Sequence, residues 1–449
     1  MTVHRKPSRT LAKFVAATAL FALVLPSQVF AEPEQPLVVR HSPDVAFPAE
    51  AAVGVPDTPL ITSIAISGGA ASPTDRTNRP GRVDERPRVL HSGTTEALFS
   101  AHLTAPALSV SPKLRPDWML AHYINVGQGN ATLLEFSCGV ALIDTGGQGP
   151  AGTAKLIAYL NGVFARRADL NRTIALVVLT HPHSDHTSGV AALTQGGANQ
   201  FTISNIVTNA GTSGSGWVGQ KKLLDYGAAK GVPVTLVSNE SIVRSDGLTT
   251  TSIDPLACSP VDPDIRVLWG TDNQGHTWAK NQNDDSVVVR VDFGESSFVF
   301  TGDLEDDAQP EFLQSYSLNP DIIDVDVYEV GHHGSKNGTT AQLLQVIKPE
   351  IAVVSAGNPA AKEPGFSAYN FGHPNKIAIG LLSNPTFGVS MTRPTGTFPV
   401  GVSGKAPNST KPPVFESETI SKAIFSTGWD GNIVIAASAT GQKVVQTQQ

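Results

Sequence analysis

Apolar residues follow two different periods along the second part of the chain. Short runs rich in Val and Ile, such as IALVVLT (174–180) and SVVVRVDF (286–293), are separated by Gly-containing turns. Between them lie segments with apolar residues three and four positions apart, the first of which carries Leu156 and Leu160. Apolar strands that alternate with amphipathic helices are typical of a layered α/β domain. We predict such a domain over residues 117–440.

The first 31 residues have the pattern of an export signal. A basic start is followed by an apolar run at 14–25 and by Val29-Phe30-Ala31, a small-residue pattern before Glu32. This succession predicts a signal peptide over residues 1–31 that is cleaved on export, and therefore a secreted or periplasmic protein. A membrane anchor is the alternative, but the run of 12 residues is shorter than the ~20 needed to span a bilayer. No later segment predicts a membrane span.

The segments that flank the domain predict little regular structure. Residues 32–116 are rich in Pro, Ala, Ser and Arg and are interpreted as a poorly ordered leader. The alternative is a small appended subdomain with a strand at 60–66. At the other end, residues 423–438 predict a hairpin that turns at 429–432, and residues 441–449 predict a frayed tail.

Composition and charge exclude several classes of protein. With 16% charged and 40% hydrophobic residues, the 449-residue chain is neither a coiled coil nor fully disordered. The formal charge is −7, and removal of residues 1–31 would leave 28 basic against 39 acidic side chains, or −11. Sequence-independent binding to long nucleic acid draws on many Lys and Arg contacts with phosphates. We therefore expect no strong binding of that kind.

The chain contains two cysteines, Cys138 and Cys258. Two are too few for a disulfide scaffold or for a Cys-based structural zinc site. They either pair with each other after export or remain two buried thiols, and the sequence leaves both alternatives open.

A dense group of metal-binding side chains follows the run IALVVLT. The hexapeptide HPHSDH provides His181, His183, Asp185 and His186. Imidazoles and a carboxylate at this spacing suit zinc, with manganese or iron as lesser candidates. The alternative is a solvated polar loop, which the density of imidazoles disfavours. The motif therefore predicts a metal centre at the end of a strand.

The hexapeptide resembles the signature of the metallo-β-lactamase superfamily, and further landmarks follow in that family's order. These landmarks are NVGQGN (125–130), Asp144 at a strand end, Thr301-Gly302-Asp303, GHHGS (331–335) and Gly372-His373-Pro374. The set is similar to the hydrolase domain of ComEC-type competence proteins and to secreted phosphorylcholine esterases. The resemblance implies a four-layer αββα sandwich over residues 117–440.

The resemblance also implies a site for two ions, two Zn²⁺ in the first instance. The ligands of one ion would be His181, His183 and either His332 or His333. The ligands of the other would be Asp185, His186 and His373, with Asp303 bridging both ions. Asp144 would support the metal loop from behind.

One ligand of many family members has no clear counterpart in this sequence. A further His usually lies between the hexapeptide and the bridging Asp, and here that interval contains only His276, in a polar stretch. We assign the role to the pair His332 and His333, as in the competence-like branch. His276 is expected to be solvated.

The implied chemistry is hydrolysis by hydroxide that two ions generate near neutral pH. Asp185 and Asp303 would hold the catalytic ions, and Lys336 suits a phosphate by its charge, although a hydrophilic turn is the alternative for Lys336. We expect a small-molecule or polymer phosphoester as substrate, which makes the protein a nuclease or a phosphodiesterase. A lactam or lactone hydrolase and a non-catalytic metal-binding surface protein are the alternatives.

Overall fold

Two β-sheets with helices on their outer faces make up the described part of the chain. The structure, a computed structural model, describes residues 114–147, 149–196, 200–276, 280–406 and 409–448, together with the backbone of strands at 38–39 and 61–65. The predicted signal peptide lies outside these residues. In the described residues, no helix is long and apolar enough to cross a membrane.

The strands are β1 (Val38–Val39), β2 (Ile61–Ala65), β3 (Trp118–Tyr123), β4 (Thr132–Glu135), β5 (Val140–Ile143), β6 (Thr173–Ile174), β7 (Leu176–Leu179), β8 (Thr202–Ile203), β9 (Ile206–Asn209), β10 (Val234–Val237), β11 (Asp264–Trp269), β12 (Val288–Phe293), β13 (Ser296–Phe300), β14 (Val327–Glu329), β15 (Ile351–Val354), β16 (Thr392–Ser403), β17 (Val414–Lys422), β18 (Ile424–Ser426), β19 (Asn432–Ser438) and β20 (Lys443–Gln448). The α-helices are α1 (Gly149–Arg166), α2 (Ser184–Thr187), α3 (Val190–Thr194), α4 (Trp217–Lys230), α5 (Gln309–Ser315), α6 (Ala341–Ile347), α7 (Ala368–Phe371), α8 (Lys376–Leu382) and α9 (Thr427–Asp430).

Each of the two large sheets combines antiparallel and parallel strands. The first sheet has the order β1-β2-β20-β19-β3-β4-β5-β7-β9-β10, and its last four strands are parallel. The second sheet has the order β11-β12-β13-β14-β15-β18, and its last four strands are also parallel. Strands β16 and β17 form a separate long hairpin, and β6 pairs with β8.

The first sheet separates two apolar cores because successive side chains of a strand point to opposite faces. On β5, Val140 and Leu142 join the core shared with Leu156 and Leu160 of α1, whereas Ala141 and Ile143 join the core shared with the second sheet. The face of α1 that packs against the first sheet is therefore the one given by the three- and four-residue spacing of apolar residues in the sequence.

The second sheet is covered by helices that connect its parallel strands. Phe312 of α5 and Leu344 of α6 are buried in the core of this sheet, and the Phe312 ring lies 5.8 Å from the Trp269 ring of β11. Right-handed crossovers place such connecting helices on the same face of a parallel sheet. The order of layers, helix, sheet, sheet and helix, confirms the predicted four-layer αββα sandwich.

The predictions for the C-terminal residues are wrong. Residues 441–449 were predicted to be frayed, but 443–448 form β20, which pairs with β19 and β2 and buries Val444 and Val445. The predicted hairpin at 429–432 does not form, because β18 belongs to the second sheet and β19 to the first. The chain crosses between the sheets through α9 at this point. Local turn residues do not specify the sheet that each flanking strand joins.

Two segments of the predicted leader contribute backbone to the first sheet. Strand β2 pairs with β20, and β1 pairs with β2, both antiparallel. These pairings agree with the alternative that places a strand at 60–66. The rest of residues 1–113 lies outside the described residues.

Cys138 and Cys258 form a disulfide with Cα atoms 5.3 Å apart, within the range that an S–S bond requires. The bond links the turn between β4 and β5 to the loop before β11. It therefore ties the first sheet to the second, and of the two alternatives left open by the sequence the paired one is found.

A buried ion network supports the first sheet around Glu135 at the end of β4. The carboxylate accepts hydrogen bonds from Arg167 at 2.9 Å and Arg166 at 2.9 Å, and lies 3.2 Å from His122 Nε2. Burial raises the pKa of Glu135, but the hydrogen bond with His122 and the charge of Arg166 hold it below its usual range overall. The ionised form of Glu135 is therefore stabilised by folding.

The variant Glu135→Gln is expected to lower the free energy of unfolding by about 3 kcal/mol at pH 7, because the Arg167 guanidinium loses a buried counter-charge. A carboxyl group whose pKa is lowered by folding stabilises the protein fully at pH values above its ordinary pKa of about 4.3. This contribution is lost as the pH falls below that value. Urea unfolding should therefore show a wild-type advantage at pH 7 that shrinks towards pH 3. Asp225→Asn, in an exposed pair with Lys221, is the control and should cost less than about 1 kcal/mol. An advantage of Glu135 that does not change with pH would contradict this account.

Candidate metal centre

Polar side chains from both sheets meet where their strands end. Strand β5 is followed directly by Asp144, β7 by Thr180 and His181, and β13 by Thr301-Gly302-Asp303. These are carboxyl ends of parallel strands, the edge at which sites form in open α/β sheets. The sandwich therefore brings motifs that are far apart in the sequence to one place.

A first group of ligand atoms comes from His181, His183 and Asp303. One atom of each lies within 4.8 Å of the others, and the two imidazole rings are 4.6 Å apart between centroids. Nε2 of His181 is buried without a hydrogen-bond partner and lies 3.8 Å from Asp303 Oδ2. Since buried polar atoms are normally satisfied, this unpartnered nitrogen fits a cation between the three side chains.

A second group consists of Asp185, His186, Asp303 and His333, again within 4.8 Å of one another. His186 Nε2 lies 3.1 Å from Asp303 Oδ1, and His333 Nε2 lies 3.1 Å from Asp185 Oδ2. Asp303 belongs to both groups, which is the position of a carboxylate that bridges two ions. Nitrogen and carboxylate donors of this kind suit zinc and related divalent metals.

Hydrogen bonds to the far side of the rings orient two imidazoles. Asp144 accepts from His186 Nδ1 at 2.7 Å and from the amide and hydroxyl of Thr180, both at 2.8 Å. The Ser355 carbonyl accepts from His333 Nδ1 at 2.8 Å. Because a carboxylate and a carbonyl only accept, each of these Nδ1 atoms carries the proton and each Nε2 offers a lone pair to a metal.

His183 is oriented in the opposite sense. Its Nε2 lies 3.1 Å from Oε1 of Gln282, so with the amide in this orientation Nε2 donates and Nδ1 is free for a metal. Gln282 carried no signal in the sequence, because a lone amide in a polar stretch (NQNDD) matches no motif.

The electrostatics of the cluster favour a bound cation. Burial lowers the pKa of His181 well below its ordinary value, and neutral imidazole is the form that binds metal. Burial raises the pKa of Asp303, but the charges of His186 and His333 hold it well below its usual range overall. Burial likewise lowers the pKa of His186, whereas Asp303 and Asp144 raise it well above its ordinary value. The carboxylates thus attract positive charge, whether a proton or a metal.

His332 and His333 differ in what their ring nitrogens face. Nδ1 of His332 lies 3.0 Å from Glu305, whose two oxygens also accept from Asn283 and Asn337. Burial lowers the pKa of His332, but Asp303 and Glu305 raise it to about 9. His333 therefore offers a lone pair to the second group, while His332 is held between carboxylates.

The same two histidines adopt an uncommon backbone conformation. Their φ angles are 48° and 54°, in the left-handed region, which costs a residue with a side chain about 1–2 kcal/mol. Gly331 and Gly334 flank them, and a Cβ on Gly331 would lie 2.5 Å from the Gly338 carbonyl oxygen. Strain of this kind persists where the surroundings impose it, often at functional sites. It aims the two rings in different directions.

The remaining candidates lie outside both groups. His373, assigned from the sequence to the second ion, has its Nδ1 3.4 Å from Gln128 Nε2 and accepts from it with the amide in this orientation, and the second group contains His333 instead. His276 pairs with Asp272 at 2.9 Å. Lys336 is exposed, and among the described residues no hydrogen bond or ion pair joins it to either group. The sequence assigned a ligand from the pair His332 and His333 to the first ion. The geometry places that ligand, His333, in the group for the second ion.

Comparison with known proteins identifies the family. The model of the Metallo-beta-lactamase superfamily matches residues 124–358, which is more than half of the chain and includes every residue of both ligand groups. The chain belongs to the metallo-β-lactamase superfamily. Among its curated relatives is Competence protein ComA of Neisseria gonorrhoeae, 25% identical over 256 residues, 57% of this chain and 30% of that protein.

Two curated relatives and one solved structure illustrate the similarity. ComE operon protein 3 of Bacillus subtilis is 26% identical over 294 residues, 61% of this chain and 32% of that protein. Recombination protein 2 of Haemophilus influenzae is 26% identical over 275 residues, 59% of this chain and 28% of that protein. The metallo-β-lactamase fold protein YhfI from Bacillus subtilis aligns at 14% identity with a TM-score of 0.31, covering 53% of this chain and 85% of that chain. This chain spans less than a third of the length of these two curated relatives.

Proposed function

We propose that this superfamily member hydrolyses phosphodiester bonds at a site for two zinc ions. The observation that carries the proposal is the pair of ligand groups that share Asp303. Two divalent ions, when bound, supply hydroxide near neutral pH and neutralise charge on both the attacking and the leaving oxygens of an in-line displacement. A phosphoryl centre has two non-bridging oxygens to place against two ions, whereas a lactam carbonyl develops one oxyanion.

The chain's own residues hold this arrangement before substrate binds. Asp144 and the Ser355 carbonyl fix the rings of His186 and His333, so that their Nε2 atoms stay directed at the second group. His181 is fully buried, and Asp303 is nearly so, which limits the approach of bulk water to the metal ligands. Preorganised ligands of this kind cost no rearrangement during the reaction.

A panel of small substrates tests the proposal. The metal-loaded protein should hydrolyse methyl p-nitrophenyl phosphate, lose this activity with a chelator and regain it with Zn²⁺. Nitrocefin and γ-butyrolactone represent lactam and lactone chemistry and should react more slowly. Rapid opening of the lactam with no hydrolysis of any phosphodiester would contradict the proposal and favour carbonyl chemistry.

The balance of charge sets a limit on polymeric substrates. The formal charge of −7 provides few cationic contacts for phosphates beyond the reacting one. Hydrolysis of long DNA should therefore be weak at physiological salt and should gain little as the salt concentration is lowered, because few phosphate contacts release few counterions.

Lys336 is proposed as a contact for the substrate phosphate. It is exposed and lies three residues after His333, in the loop that follows β14. A charged hydrogen bond contributes about 1.5–3 kcal/mol, so Lys336→Ala should reduce kcat/KM for methyl p-nitrophenyl phosphate by roughly tenfold or more and leave lactone hydrolysis unchanged. Lys362→Ala, another exposed lysine, is the control. No loss on either substrate, or equal losses on both, would contradict a phosphate contact and leave Lys336 as part of a hydrophilic turn.

We also propose that the protein acts outside the cytoplasm. The support is the basic, apolar and small-residue succession of residues 1–31. N-terminal sequencing of the protein from its native host should begin at Glu32 or within a few residues. Recovery of an intact Met1 in the membrane fraction would contradict export with cleavage.

A further inference from the structure

Four aromatic rings form a continuous chain that starts at the second ligand group. The His333 and His373 rings are stacked with centroids 6.2 Å apart, and His373 is stacked with Phe371 at 5.6 Å. Phe371 then meets Phe366 edge to face at 5.1 Å. The two histidines are buried, whereas Phe371 and Phe366 are each 42% exposed. The chain therefore leads from the metal ligands to solvent.

Short-range contacts hold the exposed end of this ring chain in place. Helix α7 is capped by the Ser367 hydroxyl, which accepts from the Asn370 amide at 3.2 Å. Gly372 caps the C-terminus of the helix with φ 73°, and a Cβ there would lie 2.8 Å from the amide nitrogen of Gly404. On the same helix, Tyr369 stacks on Phe415 of the β16–β17 hairpin, with ring centroids 5.7 Å apart. The aromatic surface is thus preformed.

Exposed phenylalanines beside a hydrolytic site call for an apolar substrate group. Large apolar side chains exposed next to one another mark binding surfaces more often than isolated ones do. The surrounding charges are mixed. Lys362 and Glu363 are both exposed shortly before Phe366. Lys405 is also exposed, and its backbone amide donates to the carbonyl oxygen of Asn370. The surface therefore offers ring faces together with little net charge, which suits a flat and uncharged group.

We propose that Phe371 and Phe366 form a stacking surface for a nucleobase attached to the scissile phosphodiester. The inference rests on the proposed phosphodiesterase function and names its substrate class as a nucleotide ester or short single-stranded nucleic acid. Stacking of a base on an aromatic side chain contributes about 1–3 kcal/mol and tolerates any base. It requires an unstacked base, so double-stranded nucleic acid is a poor substrate.

A pair of substrates with one leaving group isolates the contribution of the base. Thymidine 5′-(p-nitrophenyl phosphate) carries a base, and methyl p-nitrophenyl phosphate does not. The wild type should prefer the thymidine ester in kcat/KM by roughly tenfold, in line with the stacking energy. Phe371→Ala should abolish most of this preference without changing the rate on the methyl ester, and Phe371→Tyr should restore it. Val218→Ala, an exposed apolar residue on α4, is the matched control.

The outcomes separate this inference from the proposed function. Equal rates on the two esters, or a preference that Phe371→Ala leaves intact, overturn the stacking surface while phosphodiester hydrolysis stands. A preference for the p-nitrophenyl ester of phosphorylcholine over the thymidine ester also overturns it, because the rings would then take a cationic group.

A binding measurement decides the inference if neither ester is hydrolysed. The full chain should bind thymidine 5′-monophosphate about tenfold more tightly than ribose 5-phosphate in calorimetry, and Phe366→Ala or Phe371→Ala should remove the difference. Identical affinities for the two phosphates would overturn the inference independently of any activity.

Discussion

Replacement of Asp303 by alanine should empty both ion sites and reduce phosphodiester hydrolysis by more than about 100-fold. Asp303 is common to both ligand groups, so its loss removes one ligand from each and leaves two cations facing each other without a shared anion. Loss of a residue that only supports a ligand costs 10- to 100-fold in metal affinity or activity. A shared ligand should cost more.

Metal analysis of the purified variants measures this effect. The wild type should retain close to two ions per chain after gel filtration, and Asp303→Ala should retain well under one. His276→Ala is the control, because that side chain pairs with Asp272 and lies in neither group, and it should keep both ions. If His276→Ala emptied a site, the ligand groups described here would be incomplete.

His333→Ala should remove one of the two ions, whereas His373→Ala should remove neither. His333 Nε2 lies 3.1 Å from Asp185 Oδ2 and 3.7 Å from Asp303 Oδ2. His373 lies outside both ligand groups, and its Nδ1 faces Gln128 Nε2 at 3.4 Å. The two rings are stacked on each other, so the variants change neighbouring positions. Both replace histidine by alanine and therefore remove the same side-chain volume.

The number of ions per chain and the rate on methyl p-nitrophenyl phosphate distinguish the two variants. His333→Ala should hold about one ion and lose activity by more than about 100-fold, the upper range for residues that only support a ligand. His373→Ala should hold both ions. The reverse result would restore the sequence-based assignment of His373 to the second ion.

The fold could be predicted from the sequence where the local pattern of apolar residues matches the layer that each element occupies. The alternation of apolar strands with a helix such as α1, and the resemblance of the HPHSDH motif, predicted the four-layer sandwich. Ile143 and Leu142 show why this works, because neighbouring residues of one strand supply two different cores. Each apolar position therefore carried information about a layer.

The pairing of strands that are distant in the sequence could not be predicted from local patterns. Val444 and Val445 lie in a Gln-rich tail that shows no strand period, and they are buried only because β19 and β2 pair on both sides of β20. The turn residues around Gly431 predicted a hairpin, yet the chain changes sheets there. Nothing local in the sequence specifies such a crossing.

Within the metal centre, the sequence named the ligand types but not their grouping. His332 and His333 are adjacent in the chain, and only the left-handed backbone at both positions turns one towards Glu305 and the other towards Asp185. Partners such as Gln282 and the Ser355 carbonyl act through single hydrogen bonds. Such contacts leave no motif.

Titration of the metal-free chain with Zn²⁺, with bound ions per chain and hydrolysis of methyl p-nitrophenyl phosphate measured in the same samples, tests the two-ion site most directly. The shared Asp303 predicts that activity rises mainly between the first and the second bound ion and reaches its plateau at two ions per chain. Full activity at one bound ion, or no phosphodiester hydrolysis at two, would contradict the account.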